Sequence, residues 1–314
     1  MAVLDVLQSV PQDEQAVELA AAALGVRPLS VARQSLTKSG KTIYRVDLPD
    51  EQSVVLRISP RPGTFKYTTR NLNILRALGI PVQTVLAGGA TPSGGSYVVL
   101  NWIPGRDLVY ELNGMTRTQM TELAEQVTLC QRRLAILPQG KGFGWAPIGG
   151  CGLVPSWTDV FGNIVPASQF QDGTILGEFR AALCTLRHRL AAYMRTIRPT
   201  PFLDDMTTKN IIVENGELRG LIDIDYICYG DPLLAVGATM ASIAAEANEP
   251  AAFYGEELTR CSNPDPQQRL AIWFYAALCA VGALRVTSTA EPTRISSLTR
   301  SIQSWLAAAQ AWPS

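Results

Sequence analysis

Apolar residues recur at helical spacing from Gln12 to Leu24, at Ala16, Val17, Leu19, Ala20, Ala23 and Leu24, and Gly25 marks a stop. This pattern predicts an opening helix. Three short segments rich in β-branched residues follow, Ser30 to Leu36, Thr42 to Leu48 and Ser53 to Ser59, separated by Lys38-Ser39-Gly40-Lys41 and by Pro49-Asp50. Punctuated in this way, they predict an antiparallel meander. Tyr67 to Leu78 returns to helical spacing and Pro81 breaks it, with two further strands expected at Val82 to Ala87 and Ser96 to Asn101. Residues 1–100 therefore read as a small sheet with one inserted helix.

The segment Asn101-Trp102-Ile103-Pro104-Gly105 carries both backbone punctuators and no periodicity, so the connection between two domains is expected at residues 101–105. Residues 106–314 are mostly helical in pattern: Thr116 to Leu137, Ile175 to Ile197, Pro232 to Ala247, Pro266 to Val286 and Pro292 to Ala311. A loop-rich stretch lies between Gly140 and Gly173. One β signal interrupts the helices, with Ile211 to Glu214, then Asn215-Gly216, then Glu217 to Ile222. Asn-Gly between alternating apolar residues predicts a two-residue hairpin loop, because both turn positions need positive φ.

Composition narrows the chemistry. The apolar share of 47 % with 17 % charged residues is that of a globular chain, and the formal net charge of zero provides no global attraction to nucleic acid. Six cysteines occur singly, without a C-x-x-C pair, as expected of buried thiols in a reducing cytoplasm. Met1 to Glu14 lacks a basic segment followed by an apolar core, so no secretory signal is expected. The most membrane-like stretch, Leu270 to Leu284, is bounded by Arg269 and Arg285 and falls short of the roughly 20 apolar residues of a span. It reads as a buried helix, and no membrane partner is expected. The single histidine, His188, leaves triads and histidine-based metal sites without their usual groups. Chemistry here must rest on carboxylates.

Centring the hairpin on Asn215-Gly216 pairs Asn210 with Leu221, so Asn210 and Asp223 should emerge at the same open end. Five residues upstream of Asn210, on a non-periodic segment, stands Asp205. Asp-x-x-x-x-Asn is the spacing of a kinase catalytic loop, in which the Asp orients the attacking hydroxyl and the Asn helps hold the metal. Mg²⁺ is a hard cation that takes oxygen ligands, usually one or two carboxylates together with ATP phosphates. Asn210 adds an oxygen without another negative charge, and Asp205 must stay off the metal to align the substrate alcohol. Taken singly, Asp205 is an ordinary turn residue, Asn210 a strand-start residue and Asp223 a loop carboxylate; the order and the intervening hairpin make the combination specific.

From Ser39-Gly40 to Asp231-Pro232, and most closely from Phe202 to Pro232, the chain resembles the aminoglycoside phosphotransferase and choline-kinase-like enzymes. The resemblance implies a bilobal α+β protein-kinase-like fold, with a small antiparallel-sheet N-lobe, a larger helical C-lobe, and ATP in the interlobe cleft. It implies a phosphate-covering loop at Lys38 to Lys41, with Ser39 and Gly40 nearest the nucleotide, and Arg57 as the basic residue of the third strand. Asn101, Trp102 and Ile103 would offer backbone groups to adenine. Asp205 would be catalytic, with Asn210, Asp223 and, as a second contact or a loop-ordering group, Asp225 around the metal. The family's Gly-Asp-Pro is matched by Gly230-Asp231-Pro232, where Asp231 also reads as a helix cap ahead of Pro232. Three positions depart from the family: Leu203 in place of His, Arg57 in place of Lys, and Asn71 where the helix glutamate that pairs with that Lys would align. Residues 52–106 hold no Asp or Glu at all.

The implied reaction is transfer of the ATP γ-phosphoryl to a hydroxyl of a small molecule, with a nucleotide-binding, catalytically silent relative as the non-enzymatic alternative. From Val26 to Ile80, ten Lys and Arg stand against three Asp and Glu, which suits polyphosphate or a solvated basic face. Ser39-Gly40-Lys41-Thr42 resembles the end of a Walker A loop, but Ser35 replaces its first Gly and a strand pattern follows where a helix is needed. Specificity is expected from Leu112 to Gly173 and from the last two helices. Glu111, Asp159, Asp172 and Glu246 would be the carboxylates available to a cationic acceptor.

Overall fold

The structure is a computed structural model and describes residues 13–36, 40–161, 175–246 and 250–312. It divides into two compact units, one formed by the chain up to Ala77 together with Pro81–Pro104, the other by Leu78–Ile80 and the chain from Gly105 onward.

The first unit contains α1 (Asp13–Leu24), β1 (Ser30–Leu36), β2 (Thr42–Asp47), β3 (Ser53–Ser59), α2 (Thr68–Ala77), β4 (Val85–Ala90) and β5 (Ser96–Asn101). Its sheet has the order β1-β2-β3-β5-β4 with every neighbouring pair antiparallel, so the first three strands form the expected meander. Alternation places Tyr44 and Val46 on one face with Val54, Leu56 and Ile58, where they pack with Ala16 and Ala20 of α1. The two alanines are one helical turn apart and allow close approach to the strands. The fourth strand starts at Val85 rather than Val82. Just ahead of it, Gln83 Nε2 donates to the Asn101 carbonyl at 3.0 Å and the Thr84 N–H donates to the Asn101 side chain, so side chains replace part of the ladder.

The second unit begins with β6 (Arg106–Asp107), α3 (Leu108–Glu111) and α4 (Arg117–Leu134), the last started by a capping box between Thr116 and Gln119. Next come β7 (Gly144–Ala146), α5 (Trp157–Val160), α6 (Ile175–Arg189), α7 (Ala191–Thr196) and β8 (Thr200–Phe202). The helix expected over Ile175 to Ile197 is divided at Leu190, whose side chain is buried and whose backbone leaves helical geometry at φ −82°, ψ 1°. The hairpin strands are β9 (Ile211–Glu214) and β10 (Glu217–Leu221), followed by β11 (Ile227–Gly230) and four helices: α8 (Leu233–Ala245), α9 (Ala252–Ser262), α10 (Pro266–Val286) and α11 (Pro292–Ala311). Two three-stranded sheets result, β10-β9-β6 and β7-β11-β8. The strands of the second are three or four residues long, too short to show periodicity in the sequence.

Helix α10 is long and apolar enough, by length and composition, to cross a membrane, but 56 % of its most apolar window is buried inside the fold. It packs on α8 and α11 at the centre of the unit. Its Phe274 and Tyr275 form a ring cluster with Trp157, Phe161 and Phe202. Gly230 lies under the Trp157 indole, where an added Cβ would come within 2.0 Å of the ring.

Candidate active site

The hairpin turn is as expected, with Asn215 at φ 56° and Gly216 at φ 83°. Its register differs by one residue from simple pairing. Val213 opposes Leu218 but Ile212 opposes Gly220, so Arg219 is an extra residue in a β-bulge, its guanidinium bonded to Glu214. Leu221 therefore faces Ile211, and Asn210 lies opposite Ile222, whose N–H donates to the Asn210 carbonyl at 3.0 Å. The shift brings Asn210 one step nearer Asp223, which stands exposed in the left-handed region at φ 59°. A non-glycine residue there is held at a cost of about 1–2 kcal/mol, and such strain clusters at functional sites. Asp225 is buried two residues later.

Asp205 joins this end of the hairpin through Asn210, whose Nδ2 donates to the Asp205 carbonyl at 2.9 Å, while Thr207 Oγ1 donates to the Asp205 carboxylate at 3.1 Å. The Asp205 carboxyl is pushed above its ordinary value, first by burial in the surrounding protein; Thr207 opposes this, the charge of Asp223 adds to it, and Asn210 opposes it. Next to it, Asp204 accepts the Trp145 indole N–H at 2.6 Å, and burial pushes its carboxyl up to about 6.

The catalytic loop has little regular structure, and side chains from the surrounding elements hold it. Gln131 of α4 grips the Leu203 backbone at both groups, donating to its carbonyl at 2.6 Å and accepting its N–H at 3.0 Å. Helix α8 supplies two tethers, Thr239 to the Met206 carbonyl at 2.9 Å and Ser242 to the Thr208 hydroxyl at 3.0 Å, and Glu246 just beyond its end adds a third to Lys209 at 2.8 Å. Helix α8 is itself anchored by Asp231. That buried carboxylate accepts the hydroxyls of Tyr193 and Tyr275 and the N–H of Leu233, and Pro232 after it already has helical φ and ψ. The N-cap falls on Pro232, one residue later than expected, so Asp231 stands just ahead of the helix and its carboxylate is held by two tyrosines that the sequence did not point to.

In the first unit, Gly40 is buried at φ 79°, and Ser39 lies outside the described residues. Lys41 Nζ and the Arg57 guanidinium both lie over the Phe65 ring, at 5.9 and 5.1 Å from its centroid. Phe65 thus gathers two cations beside the Gly40 turn. Asn71, on α2, is fully buried. At the end of β5 the backbone is largely committed within the unit. Asn101 N–H donates to Thr84, Trp102 N–H to Ser53, and the Asn101 and Trp102 carbonyls accept Gln83 and Asn101 side chains. Among the described residues, Ile103 alone of the three has an N–H without such a partner.

The model of a family described as the phosphotransferase enzyme family matches residues 39–260, more than half of the chain. The chain belongs to this family. Solved structures agree in fold. The apo form of a thermostable mutant of aminoglycoside phosphotransferase APH(4)-Ia has a TM-score of 0.69 at 15 % identity, with 94 % of this chain and 99 % of that one covered. A putative fructosamine-3-kinase from Thermobifida fusca has a TM-score of 0.60 at 13 % identity, covering 94 % and 100 %. ADP-bound aminoglycoside phosphotransferase APH(2'')-Ib also has a TM-score of 0.60, at 14 % identity, covering 93 % and 98 %. No curated protein matches the chain. The phosphotransferase is thus a mixed α and β protein of kinase-like fold, with an antiparallel five-stranded sheet and a helical second part.

The phosphotransferase's oxygen donors suit Mg²⁺. The Asn210 amide donates through Nδ2 to the Asp205 carbonyl, which leaves its Oδ1 available, and Asp223 is near enough for its charge to act on Asp205. Among the described residues no three His, Cys, Asp or Glu gather into a metal cluster. Asn210 and Asp223 would be a partial donor set, which phosphate oxygens could complete. Of the carboxylates expected to be available to a cationic acceptor, Glu111 pairs with Arg106 at 2.9 Å, Glu246 pairs with Lys209 and Asp159 accepts the Ser156 hydroxyl at 2.6 Å, while Asp172 lies outside the described residues.

Proposed function

We propose that this phosphotransferase transfers the γ-phosphoryl group of ATP to a hydroxyl of a small acceptor. The observation that carries the reading is the convergence of Asp205, Asn210 and Asp223 at the open end of the β9–β10 hairpin, with Asn210 bonded to Asp205. Asp205 accepts a hydrogen bond from the acceptor hydroxyl, aligns its oxygen and receives its proton. A carboxyl held above its ordinary value is better suited to that proton than a free aspartate. Asn210 Oδ1 and Asp223 would hold Mg²⁺, with Asp225 ordering the loop from its buried position. When bound, the metal would neutralise charge on the phosphate oxygens. Residues 1–100 would serve as the nucleotide lobe and residues 101–105 as the hinge, with Gly40, Lys41 and Arg57 available to phosphate and the Ile103 N–H to adenine. Relatives solved with nucleotide, including an APH(4)-Ia complex with AMP-PNP and hygromycin B at 16 % identity, support nucleotide use.

The departures at Leu203 and Asn71 motivate the non-enzymatic alternative. The Gln131 grip on Leu203 speaks against it, because the loop keeps a dedicated anchor there. The deciding experiment is an acceptor screen with radiolabelled ATP, run beside MgATP binding. Wild type should yield a phosphorylated product, and Asp205→Ala should keep near-native MgATP affinity while losing nearly all transfer. Equal rates for the two proteins would remove Asp205 from catalysis. Tight MgATP binding with no product from any acceptor would replace the enzyme by the silent relative.

A further inference from the structure

Behind the catalytic loop, within the second unit, a pocket of about 190 Å³ lies among α4, α8 and α9. Val127, Val236 and Leu258 supply apolar walls, and Met206 of the catalytic loop forms part of the lining. Its internal polar groups are already committed: Gln131 to the Leu203 backbone, Thr239 to the Met206 carbonyl, Ser262 to the Leu258 carbonyl. A strongly hydrogen-bonding occupant would find few partners among them. Two polar residues remain, Thr128 at the partly exposed edge and Arg132. Arg132, an exposed lining residue, donates to the Cys261 carbonyl at 2.8 Å, and among the described residues it joins no ion pair.

An apolar cavity of ~150 Å³ accepts a benzene ring, so this pocket suits one ring with a short substituent. The guanidinium offers a fork to a carboxylate on that substituent. We propose that the pocket is a binding site for a small aryl carboxylate, and that the catalytic loop senses its occupancy. The coupling is structural. Gln131, Met206 and Thr239 line the pocket and also hold or form the loop, so an occupant that braces them restricts Leu203 to Met206. Ligand binding at the pocket is independent of the phosphoryl-transfer reading, and only the naming of the coupled loop as catalytic rests on it.

Phenylacetate and its neutral counterpart phenylacetamide are the probes, titrated into the full-length protein by calorimetry. Phenylacetate should bind with one-to-one stoichiometry and at least fivefold more tightly than the amide. Arg132→Gln, at an exposed position, should remove that preference, while Thr128→Trp, which projects an indole into the pocket from its partly exposed edge, should abolish binding of both. Hydrogen exchange at Leu203 to Met206 should slow when phenylacetate is bound. Equal affinity for acid and amide would overturn the carboxylate assignment, undiminished binding by Thr128→Trp would overturn the location, and unchanged exchange in the saturated protein would overturn the coupling.

Discussion

Asn210 donates its side-chain N–H to the backbone carbonyl of Asp205 at 2.9 Å, so the proposed metal ligand also shapes the turn that presents the proposed base. The two roles separate by substitution. Asn210→Ala should weaken MgATP binding and lower kcat together. Asn210→Asp keeps an oxygen for the metal but cannot donate to the Asp205 carbonyl, so it should retain more MgATP affinity than Ala while still losing rate, on the order of tenfold or more. Parallel titration and turnover measurements check this; equal loss of affinity in the two variants would separate Asn210 from the metal.

Asp223 pays for its position in backbone strain at φ 59°. Asp223→Ala and Asp223→Gly should both lose most of the MgATP-dependent rise in melting temperature, which in wild type follows from binding to the native state. Without nucleotide the two should differ, because glycine accepts this backbone at no steric cost. Asp223→Gly is expected to be more stable than Asp223→Ala by about 1 kcal/mol, from denaturant titration. A persisting MgATP shift in either variant would contradict the assignment.

Gln131 acts on the site through the Leu203 backbone and touches no reacting atom in the proposed mechanism. Gln131→Leu should leave the KM for ATP within about twofold and lower kcat by about tenfold, since small displacements of a base are costly. Gln131→Glu keeps an acceptor for the Leu203 N–H and should recover part of the rate. A rise in KM with kcat unchanged would assign Gln131 to binding rather than to positioning.

Asp204 makes a prediction about pH. Its carboxyl is raised from 3.8 to about 6 in the folded protein, mainly by burial, so between these values the native state holds more proton than the unfolded chain. Stability therefore falls as pH rises through this window, and the ionised carboxylate is a liability above it. Asp204→Asn retains an acceptor for the Trp145 indole and should be more stable than wild type at pH 8, by roughly 1–2 kcal/mol after allowance for solvent screening. The difference should vanish near pH 3. Thermal melts across this range decide it, and a stability loss at pH 8 would show that the ionised form is favoured in the fold.

Many features of the molecule were determined by local sequence. Asn215-Gly216 specifies its turn because both residues tolerate positive φ, and the apolar alternation of β2 and β3 places Tyr44, Val46 and Leu56 on one buried face. Ser96 to Asn101, Pro266 to Val286 and Pro292 to Ala311 have the ends that their patterns predict, and both helices start at a proline. The spacing of Asp205, Asn210 and Asp223 was likewise legible, since a short hairpin leaves few ways to arrange them. Other features depended on packing between distant segments. The bulge at Arg219 shifts the pairing of Asn210 by one residue, and no periodicity marks which residue a strand will leave unpaired. Gln131 meets Leu203 across 72 positions, and Trp145 meets Asp204 across 59. Phe65 gathers Lys41 and Arg57, and Asp231 meets Tyr193 and Tyr275, only once their elements have packed. Backbone propensity acts over a few residues, whereas a hydrogen bond requires two groups within about 3 Å. The tertiary structure alone decides which distant groups come that close.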